Sequence, residues 1–245
     1  MKLQSVIRFL YPPRCLSCGA ETTLDFALCG TCWGETPFIS GLVCDACGLP
    51  LPGAPEKASA REYCDSCLHT PPPWRRGRAV MLYQGVGRKL VLALKHGDRT
   101  DLTPALAGWM APLARRLTSA GALLAPVPLH RARLFMRRYN QSALLSHALA
   151  RRCAIAHCPD LLIRTRNTRR QEGMSREARI ANQTGAMRVA PGRAALVGGR
   201  PVLLLDDVMT SGATLAACAE ACLAAGAAEV SVLALARVAR NTQIV

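Results

Sequence analysis

Apolar and polar positions follow two different periods along most of the chain, and the two periods alternate. Short runs that are apolar nearly throughout predict buried strands over residues 79–85, 122–129, 201–205 and 229–236. Apolar residues at helical spacing predict helices over residues 88–96, 102–118, 141–153 and 212–225. Strands without a polar face are typical of a parallel sheet that helices cover on both sides. We therefore predict an α/β fold for this part of the chain.

The first part of the chain lacks this alternation and is organised by cysteines instead. Eight of the 12 cysteines form four Cys-x-x-Cys pairs: Cys15/Cys18, Cys29/Cys32, Cys44/Cys47 and Cys64/Cys67. Two such pairs supply the four thiolates of a tetrahedral site, so the eight predict two structural zinc ions. Sequential pairing is the simplest arrangement, and interleaved pairing fits the spacing as well. Redox pairs or an iron–sulfur cluster are the competing interpretations, which four pairs in series make weaker.

Proline marks the end of the cysteine-rich part. The stretch Pro71–Pro73, followed by Trp74, cannot continue a helix or a central strand, so we interpret it as a linker. The predicted domains are a double zinc ribbon over residues 1–74 and an α/β domain over residues 75–245. A ribbon of this size depends on its metal to fold. The remaining cysteines are expected to be buried as small hydrophobic residues: Cys153, Cys158, Cys218 and Cys222.

Charge and length limit the partners and the compartment. Lys and Arg number 31 against 16 Asp and Glu in 245 residues, for a formal net charge of +15. This balance favours polyanionic partners such as nucleic acid, phosphorylated metabolites or an anionic membrane surface, although a basic surface also serves solubility alone. No run reaches the roughly 20 apolar residues of a membrane span, and a signal-peptide pattern is missing. We therefore expect a cytoplasmic protein with reduced cysteines.

One short stretch carries the clearest chemistry. Residues 203–214 read LLLDDVMTSGAT, in which a buried strand is followed by Asp206 and Asp207 and then by a turn into the next helix. That turn, residues 210–214, offers backbone N–H groups, hydroxyls and a helix N-terminus to a phosphate. Two carboxylates beside a phosphate must face another group, and vicinal sugar hydroxyls suit them as hydrogen-bond donors. The stretch therefore predicts a ribose 5-phosphate site at the carboxyl edge of the sheet.

The same stretch resembles a known signature. VLLLDDVMTSGAT is similar to the phosphoribosyl-pyrophosphate (PRPP) binding signature of type I phosphoribosyltransferases. Nearly the whole chain resembles the ComF family of competence-associated proteins, in the segments YPPRCLSCG, LKHGDR, APVPLHRARLFMRRYNQS and RTRNTRRQEGMSREARIANQTGAM. The resemblance implies a type I phosphoribosyltransferase-like parallel sheet flanked by helices, joined to a small N-terminal zinc-ribbon domain with four-cysteine sites.

The resemblance also implies roles for single residues around PRPP. Asp206 and Asp207 would hold the ribose hydroxyls. The turn would cradle the 5-phosphate through five residues: Thr210, Ser211, Gly212, Ala213 and Thr214. A loop formed by Val127, Pro128 and Leu129 would approach the pyrophosphate. Mg²⁺ would accompany PRPP, because this ligand carries several negative charges.

Basic and polar residues of two further segments complete the implied site. Arg137, Asn140 and Gln141 match an Arg-Gly-Phe-Asn-Gln element of the family, in which Arg138 here replaces the glycine. A second polar pattern of the family is matched by Gln171, Arg179 and Asn182. The expected catalytic residues are Asp206, Asp207, Arg137 and Arg179.

Two functions of different classes fit these observations. The first is a protein of DNA uptake that binds PRPP or a nucleotide-like ligand together with single-stranded DNA, with DNA-uptake proteins at the inner membrane as partners. Because only 4% of residues are aromatic, its DNA binding would depend mainly on phosphate contacts and hence on salt. The second is an active phosphoribosyltransferase that transfers ribose 5-phosphate to a base or amine and releases pyrophosphate. A PRPP-sensing transcription regulator ranks last, since no helix-turn-helix pattern is visible.

Overall fold

The architecture is given by a computed structural model that describes residues 11–53, 61–129, 139–165 and 185–239. Its helices are α1 (Gly30–Glu35), α2 (Asp65–His69), α3 (Gly85–His96), α4 (Thr103–Leu117), α5 (Gln141–Cys153), α6 (Ala194–Val197) and α7 (Ala213–Ala224). Its strands are β1 (Arg76–Leu82), β2 (Leu123–Pro126), β3 (Ala156–His157), β4 (Leu162–Arg164), β5 (Met187–Val189), β6 (Pro201–Met209) and β7 (Glu229–Arg237). A 3₁₀ turn, Thr100–Leu102, precedes α4.

Five of these strands form one parallel sheet in the order β1-β7-β6-β2-β3. At its centre, Leu205 of β6 lies in register with Leu233 of β7 on one side and with Pro126 of β2 on the other. The pairings in this sheet are all parallel, so the carboxyl ends of the strands meet at one edge. Strands β4 and β5 form a separate antiparallel pair. The predicted parallel α/β sheet is confirmed.

Helices cover both faces of the sheet, and successive side chains of β6 pack against helices on opposite faces. Leu203 and Leu205 pack on one face against α3, α4 and α5, where Leu94 and Leu145 are fully buried. Leu204 packs on the other face against α7 and the β4–β5 pair. Burial on both faces explains why this strand is apolar throughout. Among the described residues, no helix is both long and apolar enough to cross a membrane.

Several element ends differ from the prediction, and two of them shape the candidate site. The sequence predicts a strand that ends at Leu205, but β6 continues to Met209 because β7 pairs with it as far as Arg237. The two aspartates therefore lie inside a strand rather than after it. β2 ends at Pro126, short of the predicted residue 129, because proline has no N–H for a ladder. β1 and α3 each begin three residues before the predicted start. The sequence does not predict β3, β4, β5 and α6, because these elements are too short to show a hydrophobic period.

The cysteine-rich part packs on the edge strand β1. Residues 37–39 run antiparallel to it: the Ile39 N–H donates to the carbonyl of Val80 at 2.9 Å, and the Leu82 N–H donates to the carbonyl of Pro37 at 2.9 Å. A side chain at Gly77 would overlap the carbonyl of Ala46, so the ribbon backbone lies directly on β1. The ribbon thereby covers an edge that would otherwise present unpaired backbone groups.

The two ends of the ribbon lie on opposite faces of the sheet. Cys15 and Cys32 belong to the apolar core on the α3–α5 face. Cys44, Cys64 and Trp74 belong to the core on the α7 face. Trp74 is buried where ribbon and sheet meet, and the domain boundary near this residue stays a prediction.

Candidate functional site

The predicted aspartate pair lies in the carboxyl half of the central strand and is held by two helices. Asp206 Oδ1 accepts a hydrogen bond from the hydroxyl of Ser142, at the start of α5, at 2.9 Å. The same oxygen accepts the backbone N–H of Asp207 at 2.9 Å. Asp207 Oδ2 pairs with Nζ of Lys95, near the end of α3, at 2.9 Å. One oxygen of each carboxylate is thus engaged inside the protein, and the second oxygen of each lies outside these contacts.

Burial and neighbouring charges act on both carboxylates. Asp207 is buried, with 6% of its surface exposed, and its lysine partner balances its charge. Burial raises the pKa of Asp206 to about 7, and the negative charge of Asp207 adds to the rise, whereas Lys95 and the Ser142 hydroxyl oppose it. Asp206 therefore titrates near neutral pH, and any ligand that donates hydrogen bonds to it or brings a cation favours its ionised form.

The turn after β6 contains a left-handed glycine and leads directly into a helix. Gly212 adopts φ 81°, a left-handed conformation that suits glycine, and α7 begins at the next residue. The Ser211 hydroxyl accepts the N–H of Ala213 at 3.4 Å across the turn. The first N–H groups of a 12-residue helix and its dipole point toward this turn, which favours a bound phosphate.

The facing loop is held by the residue that caps α5. Asn140 donates from Nδ2 to the carbonyl of Val127 at 3.0 Å and accepts the N–H of Ser142 at 3.0 Å. Gln141, 1% exposed, reaches the carbonyl of Lys95 at 3.4 Å from Nε2. In the structure the two side chains hold the loop, the start of α5 and the end of α3 beside the aspartates, and their contact with a ligand stays a prediction.

The structure brings most of the predicted site together and leaves part of it outside the described residues. The residues brought to the same edge are Asp206, Asp207, Thr210, Ser211, Gly212, Ala213, Thr214, Val127, Pro128, Asn140 and Gln141. Outside the described residues lie Arg137, Arg138, Gln171, Arg179 and Asn182. Sequence reasoning missed Lys95 and Ser142, although both stand in segments that carry the ComF resemblance. Only the fold shows which of 31 basic residues pairs with Asp207.

Eight cysteines form two compact clusters with sequential pairing. The first cluster is Cys15, Cys18, Cys29 and Cys32, and the second cluster is Cys44, Cys47, Cys64 and Cys67, each with its sulfurs within 4.8 Å of one another. Contacts of 3.7 Å between Cys18 and Cys29 and 3.8 Å between Cys47 and Cys64 match the sulfur separation of about 3.8 Å in a tetrahedral site with Zn–S bonds of about 2.3 Å. The donor sets fit two structural zinc ions, and the interleaved alternative is excluded.

The thiols of the second cluster differ in acidity: burial raises the pKa of Cys64 to about 11, and hydrogen bonds with Cys44 and Cys47 raise the pKa of Cys67. Hydrogen bonds from Cys44 and Cys67 hold the pKa of the Cys47 thiol below its ordinary value, and the nearby Arg237 guanidinium adds to this effect. The remaining cysteines behave as small apolar residues: Cys158, Cys218 and Cys222 are buried, and Cys153 is half-buried.

An aromatic group joins the ribbon to the α/β domain. The ring of Phe38 lies 4.6 Å from Trp33 and 5.3 Å from Trp109, measured between centroids. Trp33 remains 52% exposed. Other exposed apolar residues of the ribbon are Tyr11, Leu24, Phe26 and Leu68. Although aromatic residues are scarce in the sequence, Trp33, Phe38 and Trp109 thus lie together.

Comparison with known proteins follows the same division of the chain. A family model described as a double zinc ribbon domain matches residues 6–68. The DNA utilization protein YhgH of Escherichia coli K12 is 32% identical over 232 residues, which cover 92% of this chain and 97% of that protein. Competence protein F of Haemophilus influenzae is 29% identical and covers 91% of this chain and 96% of its own length. The chain belongs to the ComF family.

Further similarities of this ComF protein lie at lower identity. Competence protein ComFC of Bacillus subtilis is 26% identical over 221 residues, or 87% of this chain and 85% of that protein. A solved structure of glutamine PRPP amidotransferase from B. subtilis, complexed with ADP and GMP, is 19% identical and matches 59% of this chain and 30% of its own with a TM-score of 0.40. A hypoxanthine phosphoribosyltransferase from Staphylococcus aureus is 13% identical over 56% of this chain and 64% of its own, with a TM-score of 0.35.

Proposed function

We propose that this ComF protein binds PRPP, or a related phosphoribosyl ligand, at the carboxyl edge of its parallel sheet. The observation that carries the proposal is the adjacency of Asp206 and Asp207 to the turn at the N-terminus of α7. The carboxylates suit vicinal ribose hydroxyls, and the N–H groups of the turn suit the 5-phosphate. Val127 and Pro128, held by Asn140, would face the pyrophosphate.

Lys95 and Ser142 give the proposed ribose site its electrostatic balance. Two adjacent carboxylates would repel an anionic ligand, but one is paired with Lys95 and the other has a pKa of about 7. Asp206 would lose its proton as ribose hydroxyls donate to it, so binding would be accompanied by proton release. Mg²⁺ fits a site of this kind, because carboxylate and phosphate oxygens are the ligands it prefers. Held by the pyrophosphate and the Asp pair, it would neutralise charge on the ligand.

Calorimetry with Mg·PRPP tests the proposal in the full-length, zinc-loaded protein. The parent is compared with the double variant Asp206→Asn/Asp207→Asn and with Asp160→Asn, an exposed aspartate paired with Arg193. Loss of hydrogen bonds to charged acceptors, each worth about 1.5–3 kcal/mol, is expected to weaken binding by more than tenfold in the double variant only. Absence of PRPP binding by the parent would sink the proposal.

Pyrophosphate release separates binding from group transfer. In a transfer reaction, a nitrogen of a base or amine forms a bond to the anomeric carbon while the bond from that carbon to pyrophosphate breaks, and the attacking nitrogen gives up a proton. We propose binding as the function and the transfer as the alternative. Incubation with Mg·PRPP and a panel of bases and ammonia decides between them: steady pyrophosphate release supports the transferase, and PRPP binding without release supports the binding protein.

We further propose that the ribbon and its surroundings bind single-stranded DNA during DNA uptake. The net charge of +15 favours phosphates, and Trp33 offers a half-exposed ring on which a base can stack. The names of the relatives, a DNA utilization protein and a competence protein, support this role. The protein would then act in the cytoplasm, at the inner membrane with other DNA-uptake proteins.

Fluorescence anisotropy with a labelled oligonucleotide tests the DNA proposal. Affinity is expected to fall steeply between low and moderate salt, because bound phosphates release counterions. Trp33→Ala should lose about 1–3 kcal/mol of binding free energy, the value of one stacked base. Leu223→Ala, an exposed apolar residue of α7, is the control and should bind as the parent does. A parent with no affinity at low salt contradicts the proposal.

A further inference from the structure

Arg237 connects the second cluster with the turn that follows β6. It stands at the end of β7, in register with Met209. Its Nη1 donates to the carbonyl oxygens of Met209 at 3.1 Å, of Val238 at 2.8 Å and of Thr210. Its Nη2 lies 3.8 Å from Sγ of Cys47. One guanidinium therefore holds the backbone where the turn begins and contacts a sulfur of the second cluster.

Trp74 makes the same connection through packing. Its Nε1 donates to the carbonyl of Ala46 at 2.6 Å, inside the Cys-x-x-Cys knuckle that ends at Cys47. The far edge of its ring lies against the turn, where a Cβ on Gly212 would be 3.0 Å from Cη2. The residue is 7% exposed, so close packing fixes its position. Two independent contacts thus run from one knuckle to one turn.

We propose that Arg237 and Trp74 are positioning residues through which the metal-bound second cluster sets the shape of the turn, residues 210–214. The inference rests on the proposed function, because this turn is the part that would receive the 5-phosphate. A knuckle in a four-cysteine site depends on its metal for shape, and a metal-bound thiolate accepts charge-assisted hydrogen bonds. Metal loss would leave the knuckle free to move, which would shift both the sulfur that Nη2 contacts and the Ala46 carbonyl that anchors the indole.

The first cluster supplies the contrast. Cys15 and Cys32 pack with Met81 and Val86 in the core on the α3–α5 face. Trp74 and the knuckle around Cys47 belong to the core on the opposite face. The two metal sites would therefore differ in role: the first stabilises the ribbon on its edge strand, and the second also shapes the ligand site.

The first test measures coupling between zinc release and ligand binding in the full-length protein. Mg·PRPP is expected to slow zinc release from the second cluster to a chelator about tenfold, as outer-shell partners typically do. At equilibrium, loss of that zinc should weaken PRPP binding by the factor by which PRPP raises the zinc affinity of the cluster, because coupling between two binding free energies is reciprocal. A Cys18→Ser variant, which disables the first cluster, identifies the release phase that belongs to the second.

Arg237→Met breaks the proposed link and has a matched control. Arg78 also contacts the knuckle that ends at Cys47: it donates to the carbonyl of Asp45 at 2.9 Å and pairs with the Asp45 carboxylate. It donates in addition to the carbonyl of Gly77. We expect Arg237→Met to abolish the effect of PRPP on zinc release, and Arg78→Met to keep it. Zinc release that stays as sensitive to PRPP in Arg237→Met as in the parent would overturn the inference.

Hydrogen exchange without ligand keeps this inference separate from the proposed function. Arg237→Met and removal of the second zinc are both expected to speed exchange of the amides in residues 210–214 at least tenfold, whereas Arg78→Met leaves it at the parent rate. Unchanged exchange in Arg237→Met refutes the inference whether or not PRPP binds. A parent that binds no PRPP but shows the expected exchange refutes the proposed function alone.

Discussion

Replacement of Gly212 by alanine tests whether the turn after β6 needs its present shape. The left-handed φ of 81° costs a residue with a side chain about 1–2 kcal/mol. The added Cβ would lie 3.0 Å from Cη2 of the buried Trp74, so the indole or the turn must shift, and overpacking of this kind costs about 1–3 kcal/mol. We expect Gly212→Ala to lower the free energy of unfolding by about 2–5 kcal/mol and to weaken Mg·PRPP binding at least tenfold.

Gly226→Ala is the matched control, because Gly226 follows the other end of α7 with φ 92°. A Cβ there would lie 3.8 Å from Gly198 Cα, which is an ordinary contact. Only the conformational cost of about 1–2 kcal/mol remains, and PRPP affinity should equal that of the parent. Urea denaturation measures the stability and calorimetry the affinity. Equal losses of stability in the two variants would refute the steric role of Trp74, and parent affinity in Gly212→Ala would refute the role of the turn.

Three further predictions concern the aspartates and the ribbon. Lys95→Met should destabilise the protein by about 3 kcal/mol in urea denaturation at neutral pH, because Asp207 is left buried without its partner. Gly77→Ala should lower the melting temperature and speed zinc release, since its side chain would push the ribbon off β1 at a cost of about 1–3 kcal/mol. PRPP affinity should rise as pH increases through about 7, because Asp206 becomes ionised there. Without ligand, the free energy of unfolding should fall as pH rises from the ordinary carboxyl pKa toward about 7, because the folded state holds the Asp206 proton more tightly than the unfolded state does.

Each of these predictions has a matched control. Arg99→Met breaks an exposed pair with Asp101 and should change stability by about 0–1 kcal/mol, so an equal effect of Lys95→Met would contradict the argument from burial. Gly34→Ala, with open space for its side chain in α1, should not destabilise the ribbon. In Asp206→Asn the pH dependence of PRPP binding that comes from this carboxyl group should disappear, so that only the titration of the ligand itself remains. A profile with the same rise near pH 7 would show that another group is responsible.

Local signals in the sequence were sufficient for the elements and motifs that depend on neighbouring residues. Helix α5 begins and ends where predicted, because Asn140 caps its first turn and Ala154 ends it with a left-handed φ of 53°. The Cys-x-x-Cys pairs and the stretch from Asp206 to Thr214 are local patterns too. In the structure both cysteines of each pair belong to the same cluster, and the two aspartates lie in the same strand.

Contacts between distant segments could not be predicted in the same way. Spacing allowed two pairings of the cysteines, and only the fold brings Cys29 to Cys18. The partner of Asp207 lies more than 100 residues earlier in the chain, and no period or motif singles out Lys95 among the basic residues. The extension of β6 to Met209 depends on its pairing with β7. The hydrophobic pattern of a single segment contains no information about that neighbour.

The position of β1 has a consequence for the order in which the protein folds during synthesis. One side of β1 is covered by residues 37–39, which leave the ribosome before it, and the other side pairs with β7, which is made last among the strands of the sheet. The ribbon can bind zinc and shield one side of β1 early. The opposite side stays unpaired until more than half of the chain has been synthesised after β1. The N-terminal ribbon would thus limit the exposure of the unpaired backbone of β1 until β7 has been synthesised.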